Sequence, residues 1–201
     1  MTEEPKTNLA DIQLLVMDVD GVLTDGTVII NGDGSEGKFF NLLDGHGIRM
    51  WQRAGLKAAF LSGRFSEATK CRAKQLEIDY CVQPAYPEAC PSGRDCFEKL
   101  PALKKLLEQM GLSAKRTAYI GDDLLDLPVI RYVGFGAAVA NAVDEVKDIA
   151  DYITTRRGGD GAVREVIEYI LKNTGKWQEL MKRYLPARPT EASGGRNSET
   201  T

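Results

Sequence analysis

Two carboxylates close an apolar run in Leu14-Leu-Val-Met-Asp18-Val-Asp20-Gly21. Residues i and i+2 of an extended chain share one side, so Asp18 and Asp20 can serve one site. Bringing two like charges together out of water is unfavourable without a cation. The stretch therefore predicts a bound divalent ion, and hard oxygen ligands favour Mg²⁺. The pattern recurs at Thr117–Ile120, which runs into Gly121-Asp122-Asp123-Leu-Leu-Asp126-Leu-Pro128. Between the two lies Leu56–Leu61, ending at Ser62-Gly63-Arg64. A hydroxyl beside a glycine turn can donate to phosphate together with backbone N–H groups. Each feature also has a plain reading. Asp and Gly are turn residues, and Ser62, Ser66, Asp122 and Asp123 could simply cap helices.

Leu14–Met17 is apolar without alternation, as suits a strand buried on both faces of a parallel sheet. Ligands bind beyond the carboxyl ends of such strands, where these side chains stand. Further strands are read at Asp79–Val82, Val133–Ala140 and Tyr152–Thr154. Helices are read at about 44–54, with Asp44 as N-cap and Gly55 after the end, and at 65–76, 97–110, 141–150, 162–172 and 176–185. Alternating strands and helices imply an α/β fold, a Rossmann-like parallel sheet with flanking helices. Lys99 opens the helix at 97–110, where a cation opposes the helix dipole; solvation at the surface is its ordinary reading. Arg64 and Arg72, near two turns apart, could share a helix face. Arg156–Gly161 reads as a basic, flexible turn.

Thr27–Asn41 reads as a β-hairpin, Thr27–Ile30 and Lys38–Phe40 around Asn31–Gly37. Ile29, Ile30, Phe39 and Phe40 are too apolar for a free two-stranded flap. The hairpin is expected to pack on another subunit, the alternative being that it folds back on its own sheet.

The 201 residues fit one domain. The expected organisation is an extension at 1–11, a single domain at 12–185 containing the 27–41 hairpin, and a disordered Pro/Ser/Gly-rich tail at 186–201. A net charge of −3 argues against nucleic acid as partner, but leaves room for an anionic substrate in a local basic pocket. No apolar run approaches the ~20 residues that span a bilayer, and Met1–Asp11 lacks a signal-peptide core. A cytoplasmic protein is expected, with Cys71, Cys81, Cys90 and Cys96 reduced. With a single histidine, His46, and no Cys-x-x-Cys spacing, a zinc site is not expected. The loop at 83–96, rich in proline, is long enough to be functional or disordered.

Taken together, carboxylates at Asp18 and Asp20, the hydroxyl of Ser62, Lys99, and carboxylates at Asp122 and Asp123 come in an order that resembles the haloacid dehalogenase superfamily. More narrowly, Asp18–Gly26, Phe40-Asn-Leu-Leu-Asp-Gly-His-Gly-Ile-Arg49, Ser62-Gly-Arg64, Gly121–Pro128 and Gly161-Ala-Val-Arg-Glu165 resemble the capless 3-deoxy-D-manno-octulosonate 8-phosphate phosphatases. The resemblance spans about residues 12–185. It implies a HAD-like fold and a Mg²⁺-dependent phosphatase acting on a small sugar phosphate of lipopolysaccharide synthesis. It also implies a homotetramer, in which the hairpin helps assembly and a neighbouring subunit replaces the missing cap.

By the same resemblance, Asp18 is the nucleophile and Asp20 the general acid and base, with Ser62 and Lys99 binding the phosphoryl oxygens. Lys104 and Lys105 are the alternatives to Lys99. The metal is held by Asp18, the backbone carbonyl of Asp20, and Asp122, while Asp123 orients Lys99 or a metal-bound water. Substrate contacts fall on Asn41, Asp44, Gly45, Arg49, Arg64 and Arg72. Gly175-Lys176 resembles a segment that approaches a neighbour's active site. Two departures stand out. Leu43 replaces an arginine common in the family, and the 84–96 loop is longer. They leave open a related nine-carbon keto-acid sugar phosphate, or other sugar phosphates, as substrate. A non-catalytic oligomerisation module is the reading from another class.

Overall fold

The computed structural model describes residues 7–84 and 98–185. The strands are β1 (Leu14–Met17), β2 (Ile29–Ile30), β3 (Glu36–Gly37), β4 (Lys57–Leu61), β5 (Tyr80–Val82), β6 (Thr117–Gly121), β7 (Phe135–Ala138) and β8 (Tyr152–Ile153). The helices are α1 (Leu42–Arg53), α2 (Glu67–Gln75), α3 (Lys99–Met110), α4 (Leu127–Tyr132), α5 (Asp144–Lys147), α6 (Ala162–Asn173) and α7 (Lys176–Tyr184).

All four residues of β1 are buried because β1 is central. It pairs in parallel with β4 on one side and β6 on the other, with Leu14 opposite both Lys57 and Thr117. The sheet order is β5-β4-β1-β6-β7-β8, parallel throughout. The chain leaves β1 in one direction for β4 and β5, then returns past it to β6. That reversal opens a crevice at the carboxyl ends of β1, β4 and β6. Helices α1 and α6 pack on each other over one face, and α3, α4 and α5 cover the other. Between the layers lie Met17, Trp51, Phe60, Leu61, Leu103, Tyr119, Ile120 and Ile167, all but excluded from solvent. Burying each large side chain contributes about 1.5–3 kcal/mol.

The expected parallel α/β sheet is the observed fold. Several local expectations change. Helix α1 begins at Leu42 with Asn41 as N-cap, its side chain accepting from Leu43 N at 2.8 Å. Asp44 lies inside the first turn instead. Gly55 does follow the helix, with φ +79°. The hairpin forms as a separate two-stranded sheet, but its second strand is Glu36–Gly37 and not Lys38–Phe40. The turn closes early, with Asn31 N donating to Ser35 O at 2.9 Å, and this sets Ile30 opposite Glu36. Within Arg156–Gly161, Arg156, Arg157 and Asp160 are exposed, but the turn is pinned at Gly158. A Cβ on Gly158 would stand 1.7 Å from Gly21 O, and Gly158 N donates to the Asn141 side chain at 2.6 Å. Cys71 and Cys81 carry free thiols. Cys90, Cys96, most of the 83–96 loop and the 186–201 tail lie outside the described residues. No helix among the described residues is long and apolar enough to cross a membrane.

Candidate active site

Asp18 follows β1 directly and continues its ladder, its N–H donating to Ile120 O at 3.0 Å. The chain then turns sharply. Val19 O accepts from Leu23 N and Thr24 N at 2.9 and 3.1 Å, and the Thr24 hydroxyl accepts from Gly21 N and Gly26 N. Gly21 holds φ +89°, and a Cβ there would stand 2.0 Å from Asp122 Oδ2. Only glycine lets the turn after β1 meet the carboxylate after β6.

Asp18, Asp20, Ser62, Gly63, Arg64, Lys99, Asp122, Asp123 and Leu125 line one cavity of about 250 Å³ at this end of the sheet. Lys99 is buried within it and bridges two carboxylates, Asp18 Oδ2 at 2.9 Å and Asp126 Oδ1 at 2.6 Å. Burial opposes the ammonium charge, but Asp18 and Asp126 outweigh it and hold the lysine well above its ordinary range. Asp126 is fully used. It also accepts from the Tyr119 hydroxyl at 2.5 Å and from the N–H groups of Asp122 and Asp123 at 2.9 and 3.2 Å.

Asp18 and Asp122 are both pushed well above the usual carboxylate range. Burial is the main cause, and the neighbouring carboxylates add to it. Oxygens of Asp18, Asp122 and Asp126 lie within 4.8 Å of one another. Asp122 Oδ1 is buried without a hydrogen-bond partner among the described residues. Crowded carboxylates with an unused oxygen are what a hard divalent cation satisfies. Since both oxygens of Asp126 are already engaged, Asp18 and Asp122 are the side chains that fit it.

The remaining expected residues divide. Arg64 lines the cavity. Lys104, by contrast, lies over the Tyr132 ring at 5.1 Å, and Lys104 and Lys105 are exposed, so Lys99 is the lysine at this site. Asp123 does not hold Lys99; its side chain accepts from Leu124 N at 2.7 Å and forms a capping box with Asp126. Asp126 supplies the contact expected of Asp123. Asp44 is fully buried, accepting from Arg164 N at 2.8 Å and Gly161 N at 3.3 Å, so it caps α6. Burial raises its pKa to about 6, although those two N–H groups work the other way.

Asn41, Gly45 and Arg72 sit together where α1 meets α2. Arg72 donates to Asn41 O at 3.3 Å, its guanidinium lies over Phe40, and a Cβ on Gly45 would stand 2.5 Å from Arg72 Nη2. None of the three lines the cavity around Asp18. Arg49 is not brought to it either. It binds Glu77 and the Gln75 carbonyl, both at 2.8 Å, beside Gly55 and Asp79, which precede β4 and β5. That is the amino end of the sheet, about 15 Å of strand from the carboxylates.

Sequence reasoning missed two residues. Asp126 had a readable sign, an acidic residue three after Asp123 as in a capping box. Lys38 had only a faint one. Its side chain is wholly enclosed and its ammonium binds Asp20 Oδ1.

Carboxylates end two adjacent parallel strands, a hydroxyl ends a third, and a buried lysine joins Asp18 to Asp126; the chain is a haloacid dehalogenase-like hydrolase. The family model of that description matches residues 94–167. The chain is 39% identical over 173 residues to the 3-deoxy-D-manno-octulosonate 8-phosphate phosphatase of Salmonella typhi, covering 86% of each. The corresponding Escherichia coli K12 enzyme is 39% identical over 169 residues, 84% of each. Among crystal structures, a probable YrbI-family phosphatase from Pseudomonas syringae matches with TM-score 0.80 and 45% identity, over 90% of this chain and 96% of that one. The Moraxella catarrhalis 3-deoxy-D-manno-octulosonate 8-phosphate phosphatase, in complex with magnesium, phosphate and KDO, matches with TM-score 0.79 and 40% identity, over 88% and 95%. The chain belongs to the 3-deoxy-D-manno-octulosonate 8-phosphate phosphatase family.

Proposed function

We propose that this protein is a Mg²⁺-dependent phosphatase that converts 3-deoxy-D-manno-octulosonate 8-phosphate to the free sugar acid and phosphate through an aspartyl-phosphate on Asp18. The observation that carries the reading is the buried Asp18 carboxylate, bridged to Lys99 at 2.9 Å and clustered with Asp122. Similarity to a phosphatase crystallised with magnesium, phosphate and KDO supports the choice of metal and substrate.

Asp18 and Asp122, with the Asp20 carbonyl, would hold Mg²⁺. When bound, the ion neutralises the phosphate and the attacking carboxylate. An oxygen of Asp18 attacks phosphorus, and the bond from phosphorus to the sugar oxygen breaks. Asp20 gives its proton to that departing oxygen. Water then attacks the aspartyl-phosphate, Asp20 takes a proton from it, and phosphate leaves with Asp18 restored. Such proton transfer contributes ~10²–10⁴-fold. Ser62 and Lys99 donate to the phosphoryl oxygens where charge spreads, while Asp126 keeps Lys99 charged and aimed. Arg64 meets the sugar acid, its guanidinium fork suited to a carboxylate.

Asn41, Gly45, Arg49 and Arg72 lie outside the cavity of their own chain. They would meet substrate across a subunit boundary in a homotetramer. Ile30, Phe39 and Leu42 are 65%, 73% and 81% exposed, and apolar side chains so grouped mark an interaction surface.

The test is phosphate release over a panel of sugar phosphates, with EDTA and then with Mg²⁺ restored. The expected result is metal-dependent release, fastest from the eight-carbon acid. Faster release from a nine-carbon keto-acid phosphate would replace the substrate, as the exposed Leu43 in place of an arginine makes worth measuring. Release unaffected by EDTA would remove the metal mechanism.

A further inference from the structure

Lys38 has no part in the scheme above, yet its side chain is completely enclosed. An ammonium leaves water at a penalty of several kcal/mol unless charges and hydrogen bonds replace the solvent. Asp20 Oδ1 and Glu36 Oε1, the latter at 3.3 Å, replace it here. Glu36 Oε2 in turn binds Arg64 at 3.0 Å. The root of the hairpin thus feeds a line of charges, Asp20, Lys38, Glu36 and Arg64, along the rim of the catalytic cavity. The two oxygens of Asp20 are unlike. Oδ1 is held by Lys38, whereas Oδ2 is buried with no partner among the described residues.

We propose that Lys38 is a positioning residue for the acid–base step. By anchoring Oδ1 it fixes the orientation of the Asp20 carboxyl that exchanges a proton with the leaving sugar oxygen and then with water. A free aspartate side chain rotates among staggered rotamers, and a misplacement of about 1 Å at a reacting group can cost 10²-fold in rate. The hairpin therefore belongs to the active site of its own subunit, whatever it does in assembly. The inference rests on Asp20 being the general acid and base.

The experiment measures leaving-group release in a single turnover for wild type, Lys38→Met and Asp20→Asn. Two substrates are used, the sugar phosphate turned over fastest in the panel and p-nitrophenyl phosphate. The sugar alkoxide needs a proton to depart; the nitrophenolate leaves without one near neutral pH. Lys38→Met is expected to slow sugar release by about 10²-fold with KM within about threefold, while nitrophenolate release stays within about threefold. Asp20→Asn should show the same selectivity. Equal loss on both substrates in Lys38→Met, or no loss, beside a selective Asp20→Asn, would make Lys38 only a structural clasp and overturn the inference. A non-selective Asp20→Asn would overturn the acid–base assignment itself, and the inference with it. If Lys38→Met is too unstable to purify, Lys38→Gln keeps a donor for Oδ1 without the charge. It is then read the same way, with a selective loss of about tenfold expected.

Discussion

Asp126 shows how much one carboxylate can hold together. It joins Lys99, the Tyr119 hydroxyl and two backbone N–H groups. Asp126→Ala would strand a buried ammonium with one partner and leave three donors unpaired. A loss of about 3–5 kcal/mol is expected in denaturant melts. Asp123→Ala, which removes only a cap, should lose about 1 kcal/mol. Equal losses from the two would mean that Asp126 is not the hub. Asp18→Asn should abolish phosphate release while the melting midpoint holds; retained turnover would remove Asp18 as nucleophile. Gly21→Ala puts a methyl group on Asp122 at a φ that side chains rarely adopt. It should weaken Mg²⁺ binding at least tenfold in a metal titration, because Asp122 must move away from Asp18. Unchanged metal affinity would show that the cation does not need Asp122 where it stands.

At the scale of elements, α1 and α6 are tied by a side chain from one helix capping the other. Asp44 accepts from the first N–H groups of α6, and Gly47 lets the helices close, since a Cβ there would meet Arg164 Cδ at 2.8 Å. Because burial raises Asp44 to about 6 from an ordinary 3.8, the folded state binds its proton more tightly than the unfolded state. Its contribution is thus fully present below about pH 4 and is lost as pH rises through 6. Relative to Asp44→Asn, which cannot ionise, wild-type unfolding free energy should fall by about 2–3 kcal/mol between pH 4 and 7. A difference constant with pH would mean that Asp44 is ionised throughout. The strut from Asn141 to Gly158 works in the same inter-element way. It braces the turn after β1 through Gly159 N donating to Val22 O at 2.9 Å.

For the whole molecule, the assembly role proposed for the hairpin and the positioning role proposed for Lys38 cannot be separated by a deletion. Removing residues 28–40 would take away the apolar surface and Lys38 together. Substituting Ile30→Ser and Phe39→Ser keeps Lys38 in place. Sedimentation velocity should then show a smaller assembly, with activity on the sugar phosphate reduced and activity on p-nitrophenyl phosphate largely kept. An assembly of unchanged size would end the role of this surface. The proposed contact of Asn41, Gly45, Arg49 and Arg72 with substrate across a subunit boundary has its own test. Arg72→Ala should raise KM for the sugar acid phosphate more than it lowers kcat.

The chain's own pattern determined the sheet and the two acidic strand ends. An unbroken apolar run followed by Asp-x-Asp-Gly, and a second followed by Gly-Asp-Asp, encode buried parallel strands and the turns after them, and both signals lie within a few residues. Tertiary structure alone decided which groups meet. Lys99 finds Asp126 across 27 positions, Lys38 finds Asp20 across 18, and Asp44 finds α6 across about 120. No local periodicity carries such pairings, because each is fixed by where whole elements pack. A polar side chain enclosed by that packing must then take whichever partner lies within hydrogen-bonding reach.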